Sequence, residues 1–153
     1  LYIMGCIVSP GDIWRLEPQP VLVITRVQGI RTTLPLMKIA TEKSGDCAPK
    51  LLLFAAIEGL ANALKIRRTI GIGVQKQIAT AFGKVNTESF WNNYDGFWES
   101  LGGQMRPDGN FILPSPIVMR PLTEIKPNHR RRAYSRQNFR RYVTSEVTSY
   151  LVP

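Results

Sequence analysis

Few residues of this chain are of a type that does chemistry. It has one histidine, His129, and two cysteines, Cys6 and Cys47, so neither a Ser-His-Asp nor a Cys-His relay has a spacing to stand on. The supply of metal ligands is equally short, and no metal site is expected. His129 lies in NHRRR, where neighbouring cations favour its neutral form, yet no nucleophile accompanies it; it reads as a solvated surface histidine rather than a base. The two thiols allow at most one bridge, which a domain of 153 residues does not need, so both read as reduced structural cysteines. Tyr94 and Asp95 stand in NYDGFWESLGG, and Asp95 shares a helix face with Glu99 four residues on. Such acidic pairs are usually solvated. Gly71-Ile72-Gly73 imitates a dinucleotide motif but falls inside an apolar β-type run, and FGKVNT lacks the upstream glycine of a phosphate loop.

Charge is the strongest raw signal. The net charge is +9, and it is unevenly spread: residues 1–125 carry 13 Lys and Arg against 10 Asp and Glu, while residues 126–153 carry 7 against 1. The basic character therefore belongs to a C-terminal segment containing Arg130, Arg131, Arg132, Arg136, Arg140 and Arg141. Guanidinium forks bind phosphate and carboxylate well, so anionic lipid headgroups, an acidic protein and nucleic acid are all open partners. No RNA-binding or zinc-finger signature accompanies the charge, which makes nucleic acid the lesser alternative.

The elements that must position these groups follow from periodicity. LYIMGCIV closed by Ser9-Pro10-Gly11-Asp12 reads as a strand and turn, and VLVITRV, Val21 to Val27, as a central strand buried on both faces. Residues 30–43 have mixed helical spacing. Pro49 starts a long apolar helix, LLLFAAIEGLANAL, which needs cover on more than one side, as for a helix packed on a sheet. TIGIGVQ completes a strand, helix, strand unit whose strands should be parallel. A further helix is expected from about Thr87, with Phe90, Trp91, Tyr94, Phe97, Trp98 and Leu101 at three- and four-residue spacing and Gly102-Gly103 as its left-handed end. A turn at Pro107-Asp108-Gly109 feeds the strand Asn110 to Leu113. The segment from Asn128 reads as a helix on which Arg132, Arg136 and Arg140 form one strip that runs on into Phe139, Val143, Val147 and Tyr150. The fold class is α/β, a single domain with a mixed sheet flanked by helices. Residues 1–125 form the core and 126–153 a basic helical segment. Its longest apolar run, Leu51 to Leu64, is too short to span a bilayer.

The succession VLVITRVQG, CAPKLLLFAAIEGLANALKI, YDGFWESLGG and DGNFILP resembles the VirK/YbjX family of Gram-negative bacteria over most of residues 1–142. Members are usually longer at the amino end, which implies a further segment before Leu1. The family's Arg-Pro-Lys ahead of the long helix stands here as Ala48-Pro49-Lys50, and Val74-Gln75-Lys76-Gln77 replaces the Asn and His that many relatives carry. The resemblance implies an uncharacterised, virulence-associated accessory protein that supports the cell envelope through outer-membrane protein presentation and antimicrobial peptide resistance. The expected location is the cytoplasm, peripheral to the inner membrane.

The order of elements also looks like the latter half of the GNAT acyltransferase fold. That likeness implies an alternative, an acyltransferase with an acyl-coenzyme A or acyl-carrier donor. Gln28 and Gly29 would open its pyrophosphate loop, Lys50 and Trp98 would line its cleft, and Trp98 would take the place of the tyrosine that protonates the leaving thiolate. An indole cannot do so near neutral pH, which leaves Tyr94 and Asp95 as the catalytic candidates. No other cofactor is expected. An open cleft between the strands ending near Gln28 and Val74 would favour the enzyme, and a filled seam would count against it.

Overall fold

The computed structural model describes residues 1–30, 34–83 and 91–152. Among the described residues the strands are β1 (Tyr2–Pro10), β2 (Pro20–Gly29), β3 (Thr69–Gly71), β4 (Gln104–Met105) and β5 (Phe111–Leu113), and they form one mixed sheet in the order β1-β2-β3-β5-β4. The helices are α1 (Leu34–Lys43), α2 (Pro49–Ala63), α3 (Ile78–Ala81), α4 (Asp95–Ser100) and α5 (Pro127–Leu151). The chain is therefore α/β, and it divides into two compact units. No helix among the described residues is long and apolar enough to cross a membrane.

One unit, Gly5–Gln28 with Ile66–Val118, holds most of the sheet. β2 earns its central place through composition: Val21, Leu22, Val23, Ile24 and Val27 are all buried, as a β-branched run covered on both faces should be. It pairs with β3 in parallel, Leu22 opposite Thr69 and Ile24 opposite Gly71, as the strand, helix, strand pattern requires. β5 pairs antiparallel with β3, Gly71 opposite Phe111. The two-residue β4, opposite Phe111 and Ile112, has no signature in the sequence.

The expected helix from Thr87 differs in form. Thr87 and Phe90 lie outside the described residues; residues 91–93 are helical, and the backbone then breaks at Tyr94 (φ −114°, ψ −86°) before α4 begins. Phe97, Trp98 and Leu101 are buried as their spacing predicts, whereas Trp91 is 43% exposed. Gly102, at φ +80°, ends α4 in the left-handed region that a side chain disfavours. The apolar spacing was sound, but the two-turn α4 is held by tertiary contacts rather than by helix propensity.

The other unit, Leu1–Met4, Gly29–Lys65 and Met119–Pro153, is helical. α2 starts with Pro49 in its first turn, as expected, and its apolar length finds cover along α5. The two helices approach closely at Gly59, where an added Cβ would come within 2.7 Å of the Thr144 carbonyl oxygen and 2.8 Å of Val147 Cβ. Thr144 Oγ1 donates to the Ala55 carbonyl at 3.0 Å and Thr148 Oγ1 to that of Gly59 at 3.2 Å. Small residues and hydroxyls at the crossing thus satisfy each other where larger side chains would hold the helices apart.

Candidate functional site

Tyr94 and Asp95 carry the strand ends rather than face solvent. Tyr94 is 4% exposed and its hydroxyl accepts a hydrogen bond from the Val27 amide at 3.3 Å. Asp95 is 5% exposed, and its Oδ1 accepts from the Val74 amide at 2.7 Å. Register pairing between β2 and β3 runs to Ile24 and Gly71; beyond it, buried amides need acceptors, and these two side chains supply them. Asn110 Oδ1 takes the Gly73 amide at 3.3 Å, and the Trp98 indole donates to the Ile72 carbonyl at 3.0 Å. Among the described residues, these side chains therefore bridge the ends of β2 and β3. An Asp95 usually expected in solvent is instead a buried acceptor, because the break at Tyr94 turns it inward.

This assignment fixes an expected result. Asp95→Ala should lower stability by about 2 kcal/mol, because the buried Val74 amide loses its acceptor, and Asp95→Asn should lose less because an oxygen remains. Urea denaturation measures both, and equal stability of all three proteins would remove the structural role.

The arginines of α5 fall into two sets. Arg132 forks onto Asp46, Nη2 to Oδ1 at 3.1 Å and Nε to Oδ2 at 3.1 Å, and Arg136 Nε donates to the Asp46 carbonyl at 3.2 Å. Arg140 is 8% exposed and faces Glu58 of α2 at 3.6 Å. The strip that runs from basic to apolar is thus a packing seam as far as Val147, with acids of the same unit opposite its charged half, whereas Tyr150 at its end is 89% exposed. Arg130 bends back to the carbonyls of Ile125 and Thr123. Arg131 and Arg141 are exposed and make no hydrogen bond or ion pair among the described residues.

Tyr134 and Tyr142, 54% and 58% exposed, lie on the same outward face. There Arg131, Tyr134, Ser135, Asn138, Phe139 and Tyr142 line an open groove of about 440 Å³. His129 is exposed, as expected. Cys6 and Cys47 are both free. Burial pushes both thiols up, against a smaller pull downward on Cys47 from Arg140 and Arg136, so both stay protonated and unreactive near neutral pH.

Gln28 and Gly29 belong to β2 itself. Gln28 accepts from the Arg26 guanidinium, and Gly29 lies beside the Tyr2 ring, its added Cβ 3.5 Å from that ring. Trp98 is fully buried on Gly71. Lys50, in the first turn of α2, is half-buried and lines a cavity in the helical unit. The structure thus brings Tyr94, Asp95 and Trp98 together as internal supports, and the arginines together on one helix.

Residues 13–148 match the sequence pattern of a family described as a protein of unknown function, DUF535. The chain belongs to the DUF535 family. DUF535 is also known as VirK/YbjX, the family its sequence blocks resemble. No curated protein and no solved structure matches the chain significantly. Within this DUF535 chain, sequence reasoning missed Asn110, Asp46 and Glu58. Each acts on a partner 37 to 90 residues away, and no local pattern encodes such a contact.

Proposed function

We propose that this DUF535 protein is an accessory factor that works by binding rather than by catalysis, at the cytoplasmic face of a Gram-negative cell envelope. Its contact is an anionic membrane surface, engaged through Arg131 and Arg141 with Tyr134 and Tyr142 beside them. The observation that carries this reading is the division of the arginines: Arg132, Arg136 and Arg140 are engaged by Asp46 and Glu58, while the exposed Arg131 and Arg141 side chains pair with none of the described residues. Tyrosine and arginine on one face suit a headgroup layer, since the ring is amphipathic and the guanidinium pairs with phosphate. Virulence, outer-membrane protein presentation and antimicrobial peptide resistance are the setting that the VirK/YbjX resemblance supplies.

An acyltransferase would need Tyr94 and Asp95 for chemistry, whereas both are buried and accept hydrogen bonds from strand amides, so the binding reading is preferred. The test is cosedimentation with vesicles containing anionic phospholipid at low salt. Arg131→Gln and Arg141→Gln should each weaken binding roughly fivefold, and neutral vesicles should bind neither protein. Unchanged binding of the double variant would reject the surface. Tighter, steeply salt-dependent binding to nucleic acid would replace the partner.

A further inference from the structure

The groove on α5 has a volume of about 440 Å³, within the range of small-ligand sites, and Arg131, Tyr134, Ser135, Asn138, Phe139 and Tyr142 line it. Their spacing of three and four residues sets them side by side on one helix face. The base of the groove is fixed from within the same unit. Gly45, at φ +62° in the turn before α2, lies so close that an added Cβ would come within 2.8 Å of Ser135 Oγ and 3.5 Å of Phe139 Cβ. Phe139 in turn stands against Tyr142, with ring centroids 6.2 Å apart and planes tilted by 44°.

The lining combines one charge with several neutral polar groups. Arg131 is its cation, and no acid lines it. The Ser135 hydroxyl, the Asn138 amide and the Tyr134 and Tyr142 hydroxyls make no hydrogen bond among the described residues, so their donors and acceptors are open to a ligand. A guanidinium fork pairs with phosphate, and an amide both donates to and accepts from hydroxyl groups. The aromatic faces beside them can cover the C–H side of a hydroxylated carbon chain. Those faces would also attract an ammonium. Here, however, an ammonium would meet Arg131 with no carboxylate in the groove to offset the repulsion.

We propose that this groove selects the headgroup at the membrane contact, taking a lipid phosphate diester whose headgroup is a neutral polyol such as glycerol or inositol. Arg131 takes the phosphate, Asn138 and Ser135 take the hydroxyls, and Phe139 and Tyr142 cover the carbon chain. The proposal rests on the anionic-membrane reading above and narrows it from surface charge to headgroup chemistry. Charge complementarity decides the occupant: the groove presents a cation without an acid, and a polyol phosphate presents an anion without an amine. A serine headgroup has the same net charge but adds an ammonium that the groove cannot neutralise.

Phosphatidylcholine vesicles doped with equal fractions of phosphatidylglycerol, phosphatidylinositol or phosphatidylserine carry the same surface charge, and cosedimentation of the whole chain compares them. The two polyol lipids should each bind at least about threefold tighter than phosphatidylserine, the effect of roughly one further hydrogen bond. Asn138→Leu should bring the three lipids level.

Equal binding of the native protein to all three would overturn headgroup selection and leave the membrane contact standing. Binding to none would overturn both, because selection presupposes the contact. A preference unchanged in a folded Asn138→Leu would overturn the groove as its source. Should that variant fail to fold, Ser135→Ala combined with Tyr142→Phe, which removes two hydroxyls and keeps the ring, should lower the preference at least about twofold. An unchanged preference in that double variant would overturn the site equally. Soluble glycerol phosphate competing as well as the same concentration of phosphatidylglycerol would overturn the lipid as the occupant.

Discussion

Arg140→Met should destabilise the protein by about 3–5 kcal/mol. Arg140 and Glu58 have side chains only 10% and 12% exposed, with 3.6 Å between Nη2 and Oε2. Removing the guanidinium takes from the largely buried Glu58 carboxylate its ion-pair partner at 3.6 Å, and breaking a buried pair from one side costs far more than the pair was worth. The guanidinium itself is poorly satisfied, for Arg140 Nε and Nη2 make no hydrogen bond among the described residues. Its desolvation is therefore poorly offset, and Glu58→Met combined with Arg140→Met should recover most of the loss. A double-mutant cycle in urea, followed by helical circular dichroism, reads the coupling directly. A single-variant loss below about 1 kcal/mol with no coupling would mean that the pair is effectively solvated. The result also bears on function. Replacing Arg132, Arg136 and Arg140 together by Gln would be the natural test of the arginine strip as a sequence, yet it would chiefly report loss of the helix pair, and only Arg131 and Arg141 test the outer face.

What was legible in the sequence follows from range. The continuous β-branched run of Val21 to Val27 and the Pro-started apolar helix announce their elements locally, and their parallel closure with β3 follows from chain geometry. The strip on α5 was legible as a pattern but not as a contact. One-dimensional periodicity shows that Arg132, Arg136 and Arg140 share a direction, whereas what lies in that direction, Asp46 and Glu58, is set by the packing of α2 on α5. For the same reason Tyr94 and Asp95 looked open. Their spacing fits a continuous helix, but the backbone breaks at Tyr94, and the groups these side chains meet, the amides of Val27 and Val74, lie 67 and 21 residues away. Gly71, discounted with Gly73 as a nucleotide motif because both read as part of a strand, has a reason that the strand alone does not give.

That reason is Trp98, and Trp98→Ala should cost about 3–5 kcal/mol. The indole is fully buried, lies with its centroid 5.1 Å from that of Phe97, and donates to the Ile72 carbonyl at 3.0 Å. It rests directly on β3: a Cβ added to Gly71 would meet indole Cδ2 and Cε2 at 2.6 Å. Glycine in a strand weakens it, and here the loss is offset by the close seating of the largest side chain in the core. Two consequences can be measured. Gly71→Ala in the native background should destabilise by about 1–3 kcal/mol through overpacking. In the Trp98→Ala background the same change should cost little or even stabilise, since the added methyl enters space the indole has left and alanine suits a strand better than glycine. The cycle should therefore show a coupling on the order of 1–3 kcal/mol. Additive losses would separate Gly71 from Trp98 and reopen the question of why this strand ends on a glycine.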